Sequence, residues 1–253
     1  MEKLTGKAAT HVWPNSFSIL KYVQDNNLVA EKKLKVIGLG SSNGINLARF
    51  NASALKLSKV EELKNQLQYN ENFTYLLSVG RIVKDKGIDE LLVAFDKLYL
   101  QNTDLRLILL GSFEEDLDPV SDTAKRILKE HPGIIHINWS DEVEYYMHLA
   151  DILVHPSYRE GFPNVLLQSG AMGCPVVCSR IEGNIDIIEN KSTGLIFETK
   201  NKRDLTEKLT FALAHPDLIK SYAAELHKKV ITNFDQRLVH ELIKKKYLEL
   251  LSE

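Results

Sequence analysis

Residues 151–190 hold the feature that most limits the fold. Ile152, Leu153 and Val154 form a short apolar run, which His155-Pro156-Ser157 ends. Proline cannot donate to a β-ladder, so the run reads as a buried strand stopped at Pro156. The polar loop Tyr158-Arg159-Glu160-Gly161-Phe162-Pro163-Asn164 follows. Val165, Leu166, Ala171 and Met172 then give a short apolar helix, and Pro175-Val176-Val177-Cys178 the next strand. Strand, loop, helix and strand make a right-handed βαβ unit.

The rest of the chain extends this unit. Further strands are expected over Leu34–Leu39, Phe73–Val79, Leu105–Leu110, Ile134–Ile137 and Gly194–Phe197. Between them, apolar residues recur at helical spacing, as in Ile88, Leu91, Leu92, Phe95 and Leu98. A helix capped by Asn15 or Ser16 runs through Asn26 with Phe17, Leu20 and Val23 as its stripe. Val60, Leu63 and Leu67 suggest a surface helix. Asp141 is expected to cap a helix that carries Val143, Tyr146 and Met147, and two helices close the chain. Residues 1–10 show no pattern. Strands alternating with helices from Leu34 to Ala214 predict an α/β fold: a doubly wound, Rossmann-like parallel sheet of about six strands.

Composition narrows the function. Lys and Arg number 32 against 34 Asp and Glu, a net charge of −2, so nothing points to nucleic acid. No apolar run approaches a membrane span, and residues 1–10 lack a signal peptide's apolar core. A cytoplasmic location is expected, with or without peripheral contact at the inner face of the membrane. Lys244-Lys245-Lys246 reads as a solvated helix face, with a membrane-surface role as the alternative. Cys174 and Cys178, the only cysteines, bracket a strand and read as small buried hydrophobes.

In an open parallel sheet, ligands sit beyond the carboxyl ends of the strands. Glu160 to Asn164 lie at such an end and open a helix. Gly161 allows close backbone approach, and the free N–H groups of the first helical turn favour an anion or a sugar hydroxyl. Glu160 supplies a fixed acceptor, with Gln168 two turns further along the same face. Gly80-Arg81 and Lys86-Gly87 form a second loop at a strand end, where a guanidinium fork and an ammonium suit phosphate oxygens. The plain alternatives are a capped helix start and a solvated basic turn. A lone His155 at a strand end reads as packed. Asp116-Leu117-Asp118 has a D-x-D form but reads as a solvated loop, and the eight histidines show no metal spacing.

Glu160-Gly161-Phe162-Pro163-Asn164-Val165-Leu166-Leu167-Gln168 resembles the E-x7-E signature of retaining GT-B glycosyltransferases of family 4, with Gln168 in place of the second glutamate. The whole chain, residues 1–253, resembles that family's C-terminal, donor-binding domain. His11 to Val23 resembles the segment leaving the N-terminal domain, so residues 1–30 form an interdomain-type lead-in. Residues 235–253 resemble the closing helix. The resemblance implies that the N-terminal acceptor domain is absent, and that the polypeptide binds donor but needs an acceptor domain, in a separate chain or fused, for turnover.

The resemblance also implies roles. Arg81 and Lys86, with Gly80, would hold the diphosphate of a nucleotide-sugar donor, a UDP-sugar by expectation. Glu160 and the segment of Gly161, Phe162, Pro163 and Asn164, through its amides, would hold the sugar, and Gln168 the ribose. Asn43 and Gly44 match a glycine-rich loop near the donor, and Trp139 sits where the family holds the base, although a core or interface tryptophan is the commoner explanation. Glu160, Arg81 and Lys86 would carry the catalysis, with no cofactor or metal. The implied activity is hexosyl transfer to a saccharide or lipid-linked acceptor in polysaccharide or lipopolysaccharide assembly. The alternative is a non-catalytic nucleotide-sugar-binding subunit or a truncated remnant.

Overall fold

The computed structural model describes residues 2–114 and 118–252. In chain order the helices and strands are α1 (Glu2–Ala8), α2 (Phe17–Asp25), α3 (Leu57–Leu67), β1 (Thr74–Val79), α4 (Ile88–Tyr99), β2 (Leu105–Leu110), α5 (Asp122–Glu130), β3 (Ile134–Ile137), α6 (Val143–Leu149), β4 (Ile152–His155), α7 (Asn164–Met172), β5 (Val176–Ser179), α8 (Asn184–Ile187), β6 (Leu195–Phe197), α9 (Lys202–Ala214), α10 (Pro216–Asn233) and α11 (Gln236–Leu251).

The strands form one 6-stranded sheet in the order β3-β2-β1-β4-β5-β6, and every pairing is parallel. Both faces are covered, so the strands read as nearly continuous apolar runs rather than alternating ones. In β1, Tyr75 and Leu77 pack on one side with Leu153, Leu166 and Phe234. Leu76 packs on the other with Phe95, Val154 and Leu205. Short crossovers carry β1 to β2 to β3 in one direction, and β4 to β5 to β6 in the other. The order therefore reverses between β1 and β4, where two neighbouring loops diverge and leave a crevice.

Several sequence expectations need correcting. Residues 34–39 make no strand: Leu34 forms only an isolated bridge with Val12, and positive φ at Gly38 and Gly40 curls the chain away from any partner. Strand alternation thus begins at Thr74. A helix, α1, occupies 2–8, with Leu4 exposed, so no apolar stripe marked it. Asp141 is not the cap of α6: the cap position is Glu142, without a side-chain bond, and Ser140 accepts from its backbone N–H at 3.0 Å. The α2 cap is Ser16, whose hydroxyl accepts from Ile19 N, but the α2 stripe is only half covered and Phe17 is exposed. On α3, by contrast, Val60, Leu63 and Leu67 are fully buried. Cys174 and Cys178 are buried and free, as their setting suggested. Tyr247, Leu248 and Leu251 on α11 remain exposed, with Trp13 edge-on to Tyr247 at 4.9 Å.

Candidate functional site at the strand crossover

The crevice between β1 and β4 holds a cleft of about 130 Å³. One wall is the loop after β1. Gly80 continues the ladder through its N–H to Leu110 O at 2.9 Å, and Arg81 follows at the rim. The chain then makes one tight turn over Lys84–Lys86 and enters α4 at Gly87. Gly87 has φ +67°, and a Cβ there would lie 2.1 Å from the carbonyl oxygen of Pro156. Only glycine allows that approach, and it locks the first loop against the second.

The second wall is the loop after β4. Tyr158 N donates to Asp85 O at 2.8 Å, and Tyr158 Oη donates to Glu90 Oε2 at 2.6 Å. Arg159 Nη2 pairs with Asp85 Oδ2 at 3.0 Å. Asp118 braces the first loop in turn: Asp85 N donates to its carboxylate at 2.8 Å and Lys84 N to its carbonyl at 3.0 Å. Asp118 is therefore a structural acceptor rather than a solvated acid. Asp116 and Leu117 of the D-x-D pattern lie outside the described residues.

The cleft is lined by Gly80, Arg81, Lys86, Glu160, Pro163 and Asn164 among the residues singled out in the sequence, and by Ser78, His155 and Pro156 besides. Lys86 Nζ lies 2.6 Å from Glu160 Oε1, both side chains 20% exposed. Arg81 is more open, 45% exposed, and pairs with Glu114 Oε2 at 2.6 Å; that bond raises the guanidinium pKa further. The cap position of α7 is Pro163, which offers no side-chain bond; Leu166 N donates to Pro163 O at 3.2 Å, while Asn164 and Val165, the first two residues of the helix, line the cleft. Cations, a carboxylate and a helix N-terminus thus meet where a polar anion would fit.

His155 closes the floor. It is 6% exposed, and its Nε2 lies 3.6 Å from Glu160 Oε1 with no hydrogen-bond partner. Burial pushes its pKa down to about 4; Glu160 pulls it up and Lys86 pushes it down. The imidazole is neutral at pH 7. The sequence placed His155 at the strand end, but nothing in a single sequence showed that its ring faces Glu160.

The other singled-out residues lie outside the cleft lining. Gly161 sits beside Asn15: a Cβ there would lie 3.4 Å from Asn15 Nδ2, an ordinary contact. Phe162 turns into the core against Phe234, ring centroids 5.6 Å apart. Gln168 is half-buried on α7. It stands one turn beyond Asn164 rather than two turns along a helix from Glu160, because Glu160 precedes the helix. Asn43 is exposed. Gly44 has φ +64°, and a Cβ there would meet Phe234 O at 2.6 Å, so it packs against the start of α11. Trp139 is no core tryptophan: it is 73% exposed beyond the end of edge strand β3. Among the described residues, no three His, Cys, Asp or Glu side chains gather as a metal site would need.

Fold and site define an open α/β domain with a cleft at its crossover, lined by Arg81, Lys86, Glu160 and the start of α7. The family model for glycosyl transferases group 1 matches residues 59–234. The chain belongs to that family. It is 32% identical over 254 residues to the capsular polysaccharide biosynthesis glycosyltransferase CapM of Staphylococcus aureus, covering 100% of this chain and 65% of CapM. Against other curated relatives it spans about half their length. A Rickettsia africae glycosyltransferase superposes with TM-score 0.87 at 22% identity, over 99% of this chain and 66% of that one. Anabaena Alr3699/HepE in complex with UDP and glucose gives 0.82 at 18% identity, over 97% and 65%. The fold is that of GT-B glycosyltransferase structures.

Proposed function

We propose that this chain is the donor-binding half of a retaining glycosyltransferase that takes a nucleoside-diphosphate sugar, a UDP-sugar by preference. One observation carries the reading: Arg81, Lys86, Glu160 and the start of α7 meet in one cleft at the sheet's crossover. The UDP and glucose in complex with the Anabaena neighbour, and the capsular role of CapM, support the choice of ligand and pathway class.

In this reading Arg81 and Lys86 hold the diphosphate. The bond from the anomeric carbon to the diphosphate oxygen breaks, and the two cations offset the charge that grows on the leaving group. They do the work for which other enzymes recruit a divalent ion. Glu160 and the amide of Asn164, the one residue of the Gly161–Asn164 segment that both lines the cleft and carries an N–H, hold the sugar, and Gln168 holds the ribose. The acceptor hydroxyl, on a saccharide or a lipid-linked glycan, bonds to the same face of the anomeric carbon and passes its proton to the departing diphosphate oxygen. Titration calorimetry with UDP and UDP-glucose tests binding. Anomeric proton couplings of the transfer product test retention: an inverted product, or no nucleotide binding, overturns the reading.

A second reading, a donor-binding subunit without turnover, draws on Gln168. An uncharged amide stands where the resembled pattern has a carboxylate. Transfer in the presence of a complementary acceptor domain decides between the two.

A further inference from the structure

Lys86 and Glu160 are committed to each other before any ligand arrives. Their 2.6 Å ion pair uses Glu160 Oε1, and His155 Nε2 faces that same oxygen from 3.6 Å. A diphosphate that draws Lys86 away leaves Glu160 as a part-buried carboxylate without its counter-ion, which opposes binding. His155 Nε2 is buried at the cleft floor with its hydrogen-bond capacity unused, an arrangement native structures rarely leave without a reason.

We propose that His155 is a positioning residue for Glu160: as a nucleoside diphosphate takes Lys86, the imidazole Nε2–H closes on the freed carboxylate and holds it in place to receive the sugar. The proposal rests on the reading that Lys86 binds the diphosphate. The movement required is small, roughly half an ångström, from contact to a normal N–H···O bond. Ser157 takes no such role, because its hydroxyl donates to Arg159 O at 3.1 Å and serves the loop. A neutral ring suits the task. It stabilises the carboxylate by a hydrogen bond and leaves Glu160 its charge, whereas a second cation there would keep competing with Lys86 and hold the carboxylate shut.

The test is a binding cycle in the full 253-residue chain, with UDP as the probe and calorimetry as the readout. His155→Leu removes the donor. It is expected to weaken UDP roughly tenfold in the native background and less than about twofold in Lys86→Met, where Glu160 has no counter-ion to lose. His155→Gln, which keeps an N–H near the Nε2 position, is expected to recover most of the loss. Equal losses in both backgrounds, or no loss in either, overturn the proposal. A second readout needs no nucleotide. In ligand-free Lys86→Met, the His155 Nε2–H resonance is expected to move downfield as the ring bonds Glu160; an unmoved resonance overturns the proposal even if His155→Leu folds poorly. If the native chain binds none of UDP, ADP and GDP, the functional reading fails, and this proposal with it. If UDP binds natively and the cycle shows no coupling, the proposal alone fails.

Discussion

Lys86 Nζ and Glu160 Oε1 stand 2.6 Å apart at the mouth of the cleft, yet sequence reasoning assigns them to opposite ends of one ligand. Both assignments hold only if the pair opens on binding. In the free state each charge neutralises the other, and the ligand then replaces one half of the pair. Lys86→Ala is expected to cost UDP binding roughly 1.5–3 kcal/mol, the range for a hydrogen bond to a charged group. The loss of the apo ion pair partly offsets it. Calorimetry showing equal affinity in native and variant chains would remove Lys86 from the site.

Arg81 carries the same kind of constraint from Glu114. Their 2.6 Å bond lies at an exposed rim, where such a pair contributes little to stability. Glu114→Gln is therefore expected to leave the melting temperature nearly unchanged and to tighten UDP by up to about 1 kcal/mol, since Arg81 no longer has to leave a carboxylate. Weaker binding in the variant would mean that Glu114 orients Arg81 rather than restrains it.

Burial of His155 makes stability depend on pH. Its folded value of about 4 lies below the ordinary 6.5, so the unfolded chain takes up the proton first as pH falls. The stability tied to the neutral ring is whole above about 6.5 and is lost as pH falls towards 4, roughly 3 kcal/mol in all. Thermal melts of the native chain should show that slope, and His155→Gln should lack this part of it. Parallel slopes would place the ring in contact with water.

The sheet was legible because its strands are short apolar runs bounded by Gly, Pro and polar loops, and all six that form were expected. Leu34–Leu39 misled for the same reason: apolarity marks a candidate strand, but only a neighbouring edge makes one. The βαβ unit also placed Glu160 and Asn164 at a strand end. Pairings over long separations were not legible. That Glu114 meets Arg81, that Gly87 presses on Pro156, or that His155 faces Glu160 depends on tertiary approach, for which spacing carries no signal. Phe162 belonged to the matching motif, yet its ring serves the core.

Gln168 tests the likeness to the family pattern. It is half-buried on α7, one turn beyond Asn164. If its amide holds ribose hydroxyls, Gln168→Glu exchanges a neutral acceptor for a charged one, worth about 1 kcal/mol before repulsion from the diphosphate is subtracted. The expected result is a gain of a fewfold in UDP affinity and none for inorganic pyrophosphate, which has no ribose. Equal or weaker UDP binding would show that Gln168 does not touch the ribose.

Transfer asks more than donor binding does. An acceptor hydroxyl has to be held against the anomeric carbon, and positioning of that kind supplies much of an enzyme's rate. In the proposed reading, the residues of the cleft between β1 and β4 are taken up by donor contacts and by the pairs that hold them. The polypeptide of residues 1–253 spans 65% of CapM's length. It is expected to bind a UDP-sugar and to transfer the sugar only when an acceptor-binding domain is supplied, fused ahead of residue 1 or added as a second chain. The apolar side chains of Tyr247, Leu248 and Leu251 on α11, exposed here, would be covered in that assembly. A radiolabelled-donor assay on residues 1–253 alone, with saccharide and lipid-linked acceptors, decides the matter. Robust transfer without the added domain would place the acceptor on this half of the molecule.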